Sequence, residues 1–115
     1  MPQEMSREDI VYTSTLGQQV VGDSRMLLRQ LEDESVDLIL TSPPFALLRK
    51  KAYGNKDQDV YVDWLADFGE EALPKLKQTG SFVLDLGGAY KKGRPVRSLY
   101  NYRVLLRFVD VLGYQ

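Results

Sequence analysis

At 115 residues the chain has room for one small domain and not for two, and with 43% apolar and 27% charged residues it is of the globular rather than the disordered kind. It contains neither histidine nor cysteine, which excludes thiol nucleophiles, zinc sites of the usual ligands, a disulfide scaffold and the commonest general base, and leaves hydroxyls, carboxylates and backbone for any chemistry. No metal is called for; with no apolar run of about eighteen residues and no basic-then-apolar leader, the expected location is cytoplasmic.

Residues 1–11 are polar and read as a flexible N-terminal segment, with the folded domain expected over 12–115. A strand near 18–22 ends in the turn Gly22-Asp23-Ser24, and Ser24 is placed to cap a short helix that carries Leu27, Leu28 and Leu31 on one side. The acidic Glu32-Asp33-Glu34 leads into a strand over 36–41. A polar loop over 46–58 follows. Val60, Trp64, Phe68, Ala72 and Leu76 then recur every fourth residue, the pattern of an amphipathic helix whose buried face they would form, with Pro74 bending or ending it. Gln78-Thr79-Gly80 turns into a strand over 81–86. Beyond Gly87-Gly88, Ser98 is placed to cap a last helix bearing Tyr102, Leu105, Leu106, Val109 and Leu112, closed by Gly113. This alternation of strands and helices calls for a mainly parallel sheet in a partial three-layer α/β/α fold of the Rossmann-like kind.

The chemistry concentrates where strand 36–41 ends. Val36, Leu38, Ile39 and Leu40 suit a strand covered on both faces, and Pro43 and Pro44, which cannot donate to a ladder, stop the pairing after Thr41-Ser42. The carboxyl edge of a parallel sheet is where ligands bind. There the Ser42 hydroxyl and the Pro43 carbonyl can accept hydrogen bonds from an amino group, the proline rings hold those acceptors still, and Phe45 offers a stacking face for a flipped-out base. An aromatic amine is a weak nucleophile; two acceptors on its protons favour a pyramidal nitrogen able to attack a sulfonium methyl. A plain strand end, closed by a Pro-Pro turn beside a core phenylalanine, explains the same four residues structurally.

Two further groups bear on the same edge. Asp85 ends the strand expected beside 36–41, which places its carboxylate near Ser42, where it could take up the proton lost from an amine or simply bond the amides of Gly87 and Gly88. From Leu86 to Val109 the charged residues are all basic, Lys91, Lys92, Arg94, Arg97, Arg103 and Arg107, whereas the preceding part of the chain is acidic on balance. Lys91, Lys92, Arg94 and Arg97 lie in a Gly/Pro-containing loop and, with Arg49, Lys50 and Lys51 after Phe45, are candidates for contact with DNA phosphates; Arg103 and Arg107 read as the solvated face of a helix.

Taken in order, Thr41-Ser42-Pro43-Pro44-Phe45-Ala46-Leu47, Arg49-Lys50-Lys51, Tyr53-Gly54-Asn55, Tyr61-Val62-Asp63-Trp64 and Gly87-Gly88-Ala89-Tyr90 resemble the permuted (β-class) amino-group DNA methyltransferases. They are most similar to the Pvu-type cytosine-N4 modification methylases of type II restriction systems. The resemblance covers roughly residues 12–115. It implies a Rossmann-like methyltransferase fold, S-adenosylmethionine as methyl donor, double-stranded DNA with a flipped base as substrate, and cofactor contacts at Gly22, Asp23, Ser24 and Thr41. Asp23 reads equally well as a turn aspartate.

The family's Phe-x-Gly-x-Gly-like cofactor loop and its target-recognition region have no counterpart here, so the resemblance implies the amino-terminal catalytic half of such an enzyme, completed by a second chain. Adenine-N6 methylation and an inactive fragment that only binds DNA non-specifically are the alternatives.

Overall fold

The computed structural model describes residues 10–44, 58–91 and 93–115. The expected loop over 46–58 falls almost wholly outside them, as do Phe45, Arg49, Lys50, Lys51 and Lys92.

Among the described residues two separate two-stranded sheets form. β1 (Ile10–Thr13) and β2 (Gln18–Val20) make an antiparallel hairpin, and β3 (Val36–Thr41) pairs in parallel with β4 (Leu76–Leu84). The sequence pattern does not announce β1, because Ile10-Val11-Tyr12 is a short β-prone triplet with polar residues around it. In the hairpin turn the Ser14 hydroxyl accepts from the amides of Leu16 (3.2 Å) and Gly17 (3.1 Å). The expected strand near 18–22 thus exists in shortened form, and it pairs with β1 rather than joining the parallel sheet.

Helix α1 (Ser24–Arg29) follows the hairpin, and its cap is Asp23, not Ser24: the Asp23 carboxylate accepts from the Arg25 amide at 2.9 Å. α1 rests against helix α2 (Gln58–Ala72), where Arg29 pairs with Glu71 at 2.6 Å and the Arg25 guanidinium lies 5.1 Å from the centre of the Phe68 ring. Pro74 ends α2 as foreseen, in the 3₁₀ turn Leu73–Lys75. Glu34, with φ 52°, and Ser35 are tied to that turn through their amides, which donate to the Pro74 and Lys75 carbonyls.

β4 begins five residues earlier than the expected 81–86, at Leu76, and ends at Leu84. The ladder jumps from Val36↔Leu76 to Leu38↔Ser81, so residues 77–80 bulge out before regular pairing resumes. Gly80 makes this possible, since a Cβ there would sit 2.9 Å from the Val36 carbonyl oxygen and 3.0 Å from that of Lys77. The register after the bulge sets two faces: Ile39, Thr41, Phe82 and Leu84 on one, Leu38, Leu40, Ser81 and Val83 on the other.

The first face packs on the core. Tyr61 and Leu65 of α2 meet Tyr100, Val104 and Phe108, with Phe82, Leu84 and Leu86 packed against them. Helix α3 (Tyr100–Leu106) continues as a wider π-helical segment, Arg107–Leu112, and closes at Gly113, whose φ of 95° needs glycine. Both expected apolar stripes are displaced in part: Ala72 and Leu76 are buried and Trp64 and Leu112 pack against the core as expected, but others are not. On α2 the buried positions are Tyr61, Leu65, Ala66, Gly69 and Ala72, while Val60 is exposed and Phe68 lies half-buried beneath Arg25 of α1. On α3 the buried positions are Tyr100, Val104 and Phe108, while Tyr102, Leu105, Leu106 and Val109 are exposed.

Gly69 explains the fit between the two helices. A Cβ there would come within 2.6 Å of the Phe108 ring, so only glycine admits that ring against α2. Phe108, Phe82 and Tyr114 then form an aromatic cluster, with centroids 5.2–5.7 Å apart, and the Tyr114 hydroxyl donates to the Gly69 carbonyl at 2.7 Å. Burial pushes the Tyr114 and Tyr61 phenols well above their ordinary range. The Cα radius of gyration, 16.0 Å, exceeds the roughly 13 Å of a compact domain of this length. No helix among the described residues is long and apolar enough to cross a membrane.

Candidate active site

β3 delivers Thr41 to the carboxyl edge of the parallel pair, and the Asp85 amide donates to the Thr41 carbonyl at 3.0 Å, one step past the end of β4. This last rung aligns the two loops that leave the strands. Ser42 stands opposite Asp85, its hydroxyl 3.5 Å from both the Asp85 carbonyl oxygen and Oδ2. These separations are long for hydroxyl hydrogen bonds, and both side chains are exposed, so the hydroxyl faces the carboxylate without being locked to it. Pro43 is half-buried and Pro44 exposed.

The turn that carries Asp85 is fixed from behind. The buried Tyr100 donates its hydroxyl to the Gly87 carbonyl, and the Ser98 amide donates to the Ala89 carbonyl at 2.7 Å. Ser98 is buried, and its hydroxyl accepts from the Tyr100 amide at 3.3 Å, though the helix boundary itself falls at Leu99. Tyr100 is a contributor that the residue pattern conceals: its ring sits in the core against Tyr61, and nothing in its spacing announces the bond to Gly87.

The basic loop is a tight hairpin. Tyr90 and Arg97 bridge across it, the Lys91 amide donates to the Val96 carbonyl at 2.7 Å, and Gly93 takes φ 72° at the tip. Lys91, Arg94 and Arg97 are exposed, and the Arg97 guanidinium passes Gly88 so closely that a Cβ there would touch it at 3.6 Å. Cationic groups therefore begin three residues beyond the acid facing Ser42. Arg107, expected on the solvated face of a helix, instead pairs with Asp63 at 2.8 Å and ties α3's π-helical extension to α2.

Gly22, Asp23 and Ser24 belong to the hairpin-to-helix connection, on a different sheet from Thr41. Asp23 is engaged by Arg25 through Nε at 3.2 Å and Nη2 at 3.0 Å as well as through the cap, and the Arg25 hydrogen bonds hold its carboxyl below the usual carboxylate range. A groove of about 930 Å³ runs beside β4, lined in part by Phe82, Leu84, Leu86, Leu105 and Val109, and neither Ser42 nor Asp85 borders it. The described residues contain no group of three or more His, Cys, Asp or Glu able to hold a metal ion.

A parallel strand pair ending in Ser-Pro-Pro against an Asp-Leu-Gly-Gly turn defines the class: residues 36–112 match the family model for N6 and N4 methyltransferases, described as DNA methylase, and the chain belongs to that family. Among curated proteins it is 50% identical to the Type II methyltransferase M.PvuII of Proteus hauseri over 97% of its own length and 35% of that protein's. It is 33% identical to the Type II methyltransferase M.SmaI of Serratia marcescens over 64% of its length and 27% of the other's. Among solved structures it matches PvuII DNA methyltransferase (cytosine-N4-specific) with a TM-score of 0.79 and 52% identity, over 91% of this chain and 37% of that one. The chain thus spans between about a quarter and little more than a third of the length of these relatives.

Proposed function

We propose that the chain is the catalytic segment of a cytosine-N4 DNA methyltransferase of a restriction-modification system, acting in the cytoplasm on double-stranded DNA with the target base flipped out. The observation that carries this reading is the Ser42 hydroxyl facing the Asp85 carboxylate at the sheet's carboxyl edge. In this role Ser42 and the Pro43 carbonyl accept hydrogen bonds from the exocyclic amine and orient it. Pro44 keeps the loop rigid, Phe45 stacks on the base, and Asp85 receives the proton that the amine gives up. Lys91, Lys92, Arg94 and Arg97, with Arg49, Lys50 and Lys51, hold the phosphates. Similarity to a solved enzyme whose description reads cytosine-N4-specific supports cytosine over adenine-N6.

Family membership implies S-adenosylmethionine as methyl donor. The described residues do not make a full seat for it, because both oxygens of Asp23 are engaged by Arg25 and the space beside Gly22 is filled by Leu27, 3.2 Å from where a Cβ would lie. A complementary chain carrying the cofactor loop completes the enzyme in this reading. Calorimetry on the chain alone should accordingly detect weak or no binding of S-adenosylmethionine; a low-micromolar dissociation constant, about −8 kcal/mol, contradicts the reading.

The decisive experiment supplies the complementary part and analyses hydrolysed DNA. N4-methylcytosine is the expected product, and N6-methyladenine would overturn the base assignment. Ser42→Ala should slow the reaction by removing an acceptor that matters most as the amine pyramidalises, and Phe45→Ala should impair it by the roughly 1–3 kcal/mol of one base stack. Unchanged rates in both variants remove the case for this site.

A further inference from the structure

Ion pairing divides the cations of the molecule into two groups. Arg25, Arg29, Lys75, Lys77 and Arg107 each pair with a carboxylate at 2.6–3.0 Å, whereas Lys91, Arg94, Arg97 and Arg103 make no ion pair among the described residues. Arg97 differs from the other three in where its head group rests. Its Cζ, Nη2 and Nη1 lie 3.6, 3.6 and 3.8 Å from the point that a Cβ on Gly88 would occupy. Near-equal distances to three coplanar atoms mean that the guanidinium turns its face to Gly88, which leaves the N–H groups on its rim pointing outward.

The backbone that carries Arg97 is held as well. On either side of the Tyr90–Arg97 bridge the Ser98 amide donates to the Ala89 carbonyl and the Lys91 amide to the Val96 carbonyl, both at 2.7 Å, and Ser98 is only 3% exposed. Arg97 therefore springs from the fixed base of the basic hairpin, while Arg94 adjoins Gly93 at its tip. Gly88 lies three residues after Asp85, at most about 11 Å along an extended chain, close enough for one nucleotide to lie across both.

We propose that Arg97, seated on Gly88, binds the phosphate of the same nucleotide whose base is presented to Ser42 and Asp85. This rests on the reading of Ser42 as the base site. A guanidinium already oriented by the backbone beneath it loses little freedom in taking a phosphate through two parallel N–H bonds, which a lysine cannot reproduce. Gly88 keeps the seat open, because the branches of a valine there would occupy the place of the guanidinium.

The test titrates the isotope-labelled chain with deoxycytidine phosphorylated on both sugar hydroxyls, with deoxycytidine and with inorganic phosphate, following the Arg97 Nε–H signal and the amides of Ser42 and Gly88 by NMR. The bisphosphate should move all three signals, and either removing its phosphates or introducing Arg97→Ala should weaken binding about fivefold or more. Inorganic phosphate should move Arg97 and Gly88 and leave Ser42 in place. Gly88→Val should lose as much as Arg97→Ala, and Arg97→Lys, which keeps the charge without the planar fork, should remain about threefold weaker than wild type. Arg103→Ala, at an exposed cation on α3, should bind the bisphosphate as wild type does.

Equal losses in Arg97→Ala and Arg103→Ala, full recovery in Arg97→Lys, or an Arg97 signal unmoved by millimolar bisphosphate would each overturn the proposal. Should Gly88→Val fail to fold, Arg97→Lys decides. Deoxycytidine that binds as tightly as its bisphosphate and moves Ser42 overturns the proposal and leaves the catalytic reading standing. Bisphosphate that moves Arg97 and Gly88 but not Ser42 upholds the phosphate seat and rejects Ser42 as the base site.

Discussion

Phe82 and Val83 are neighbours in one strand, yet one packs against the Phe108 and Tyr114 rings and the other meets solvent. The same alternation sets Ile39 against Leu40. Among the described residues, the core therefore packs on one side of the parallel sheet, and the other side carries exposed aliphatic side chains. Sequence hydrophobicity alone does not separate the two; the placement of α2 and α3 does.

The sharpest way to break the comparison is to truncate one residue on each side. Phe108→Ala removes the ring that joins α2, α3 and β4, and should cost about 3–5 kcal/mol, enough to unfold much of a domain this small. Leu40→Ser should stay within about 0.5 kcal/mol. Urea denaturation of both variants checks this; comparable losses would mean that the open face is covered in solution.

Gly69→Ala is a finer probe of the covered side. Its Cβ would meet the Phe108 ring at 2.6 Å and Leu112 Cδ1 at 3.0 Å, so overpacking should destabilise the chain by roughly 1–3 kcal/mol, read from the same curves. A neutral result would show that the π-helical segment shifts to make room.

The smallest effect is expected outside the sheet altogether. Asp23 and Glu71 are held below their ordinary carboxyl values, chiefly by the side-chain hydrogen bonds of Arg25 and Arg29. Carboxyls depressed in the folded state stabilise it above their unfolded values and lose that contribution as pH falls through the folded ones. Protection factors of the α1 amides, which divide out the intrinsic pH dependence, should therefore fall as pH drops below the ordinary carboxyl range, while the β3 and β4 amides stay protected. Both pairs are solvent-exposed, so the change should be slight. Loss of protection in β3 at the same pH would mean that the α1–α2 contact supports the sheet.

Some of this was legible beforehand. The bounds of β3 follow from a dense apolar run with an acidic turn before it and two prolines after it, signals that act locally and agree. Pro74 likewise marks the end of α2, and the proximity of Asp85 to Ser42 follows once β3 and β4 are adjacent. The helix faces were misplaced because each helix offers more apolar positions than one face can bury, and the choice rests on contacts between segments distant in sequence. Trp64 and Phe68 repeat as regularly as Tyr61 and Leu65, but Trp64 only flanks the core cluster and Phe68 is partly covered by Arg25 of α1. The early start of β4 depends on a bulge that Gly80 permits and no periodicity records. Of the candidate site, Ser42 and Asp85 were readable from strand ends; Asp23 was ambiguous because capping and ligand contact favour the same residue type.

The bond from Tyr100 to Gly87 gives the Asp85 turn a particular dynamic standing. Because its anchor is also a centrepiece of the core, the backbone of the turn belongs to the same cooperative unit as α3: whatever opens that helix releases the Gly87 carbonyl. The backbone of that turn is thus held by the core, while the exposed Asp85 carboxylate at its start keeps its own rotamer freedom.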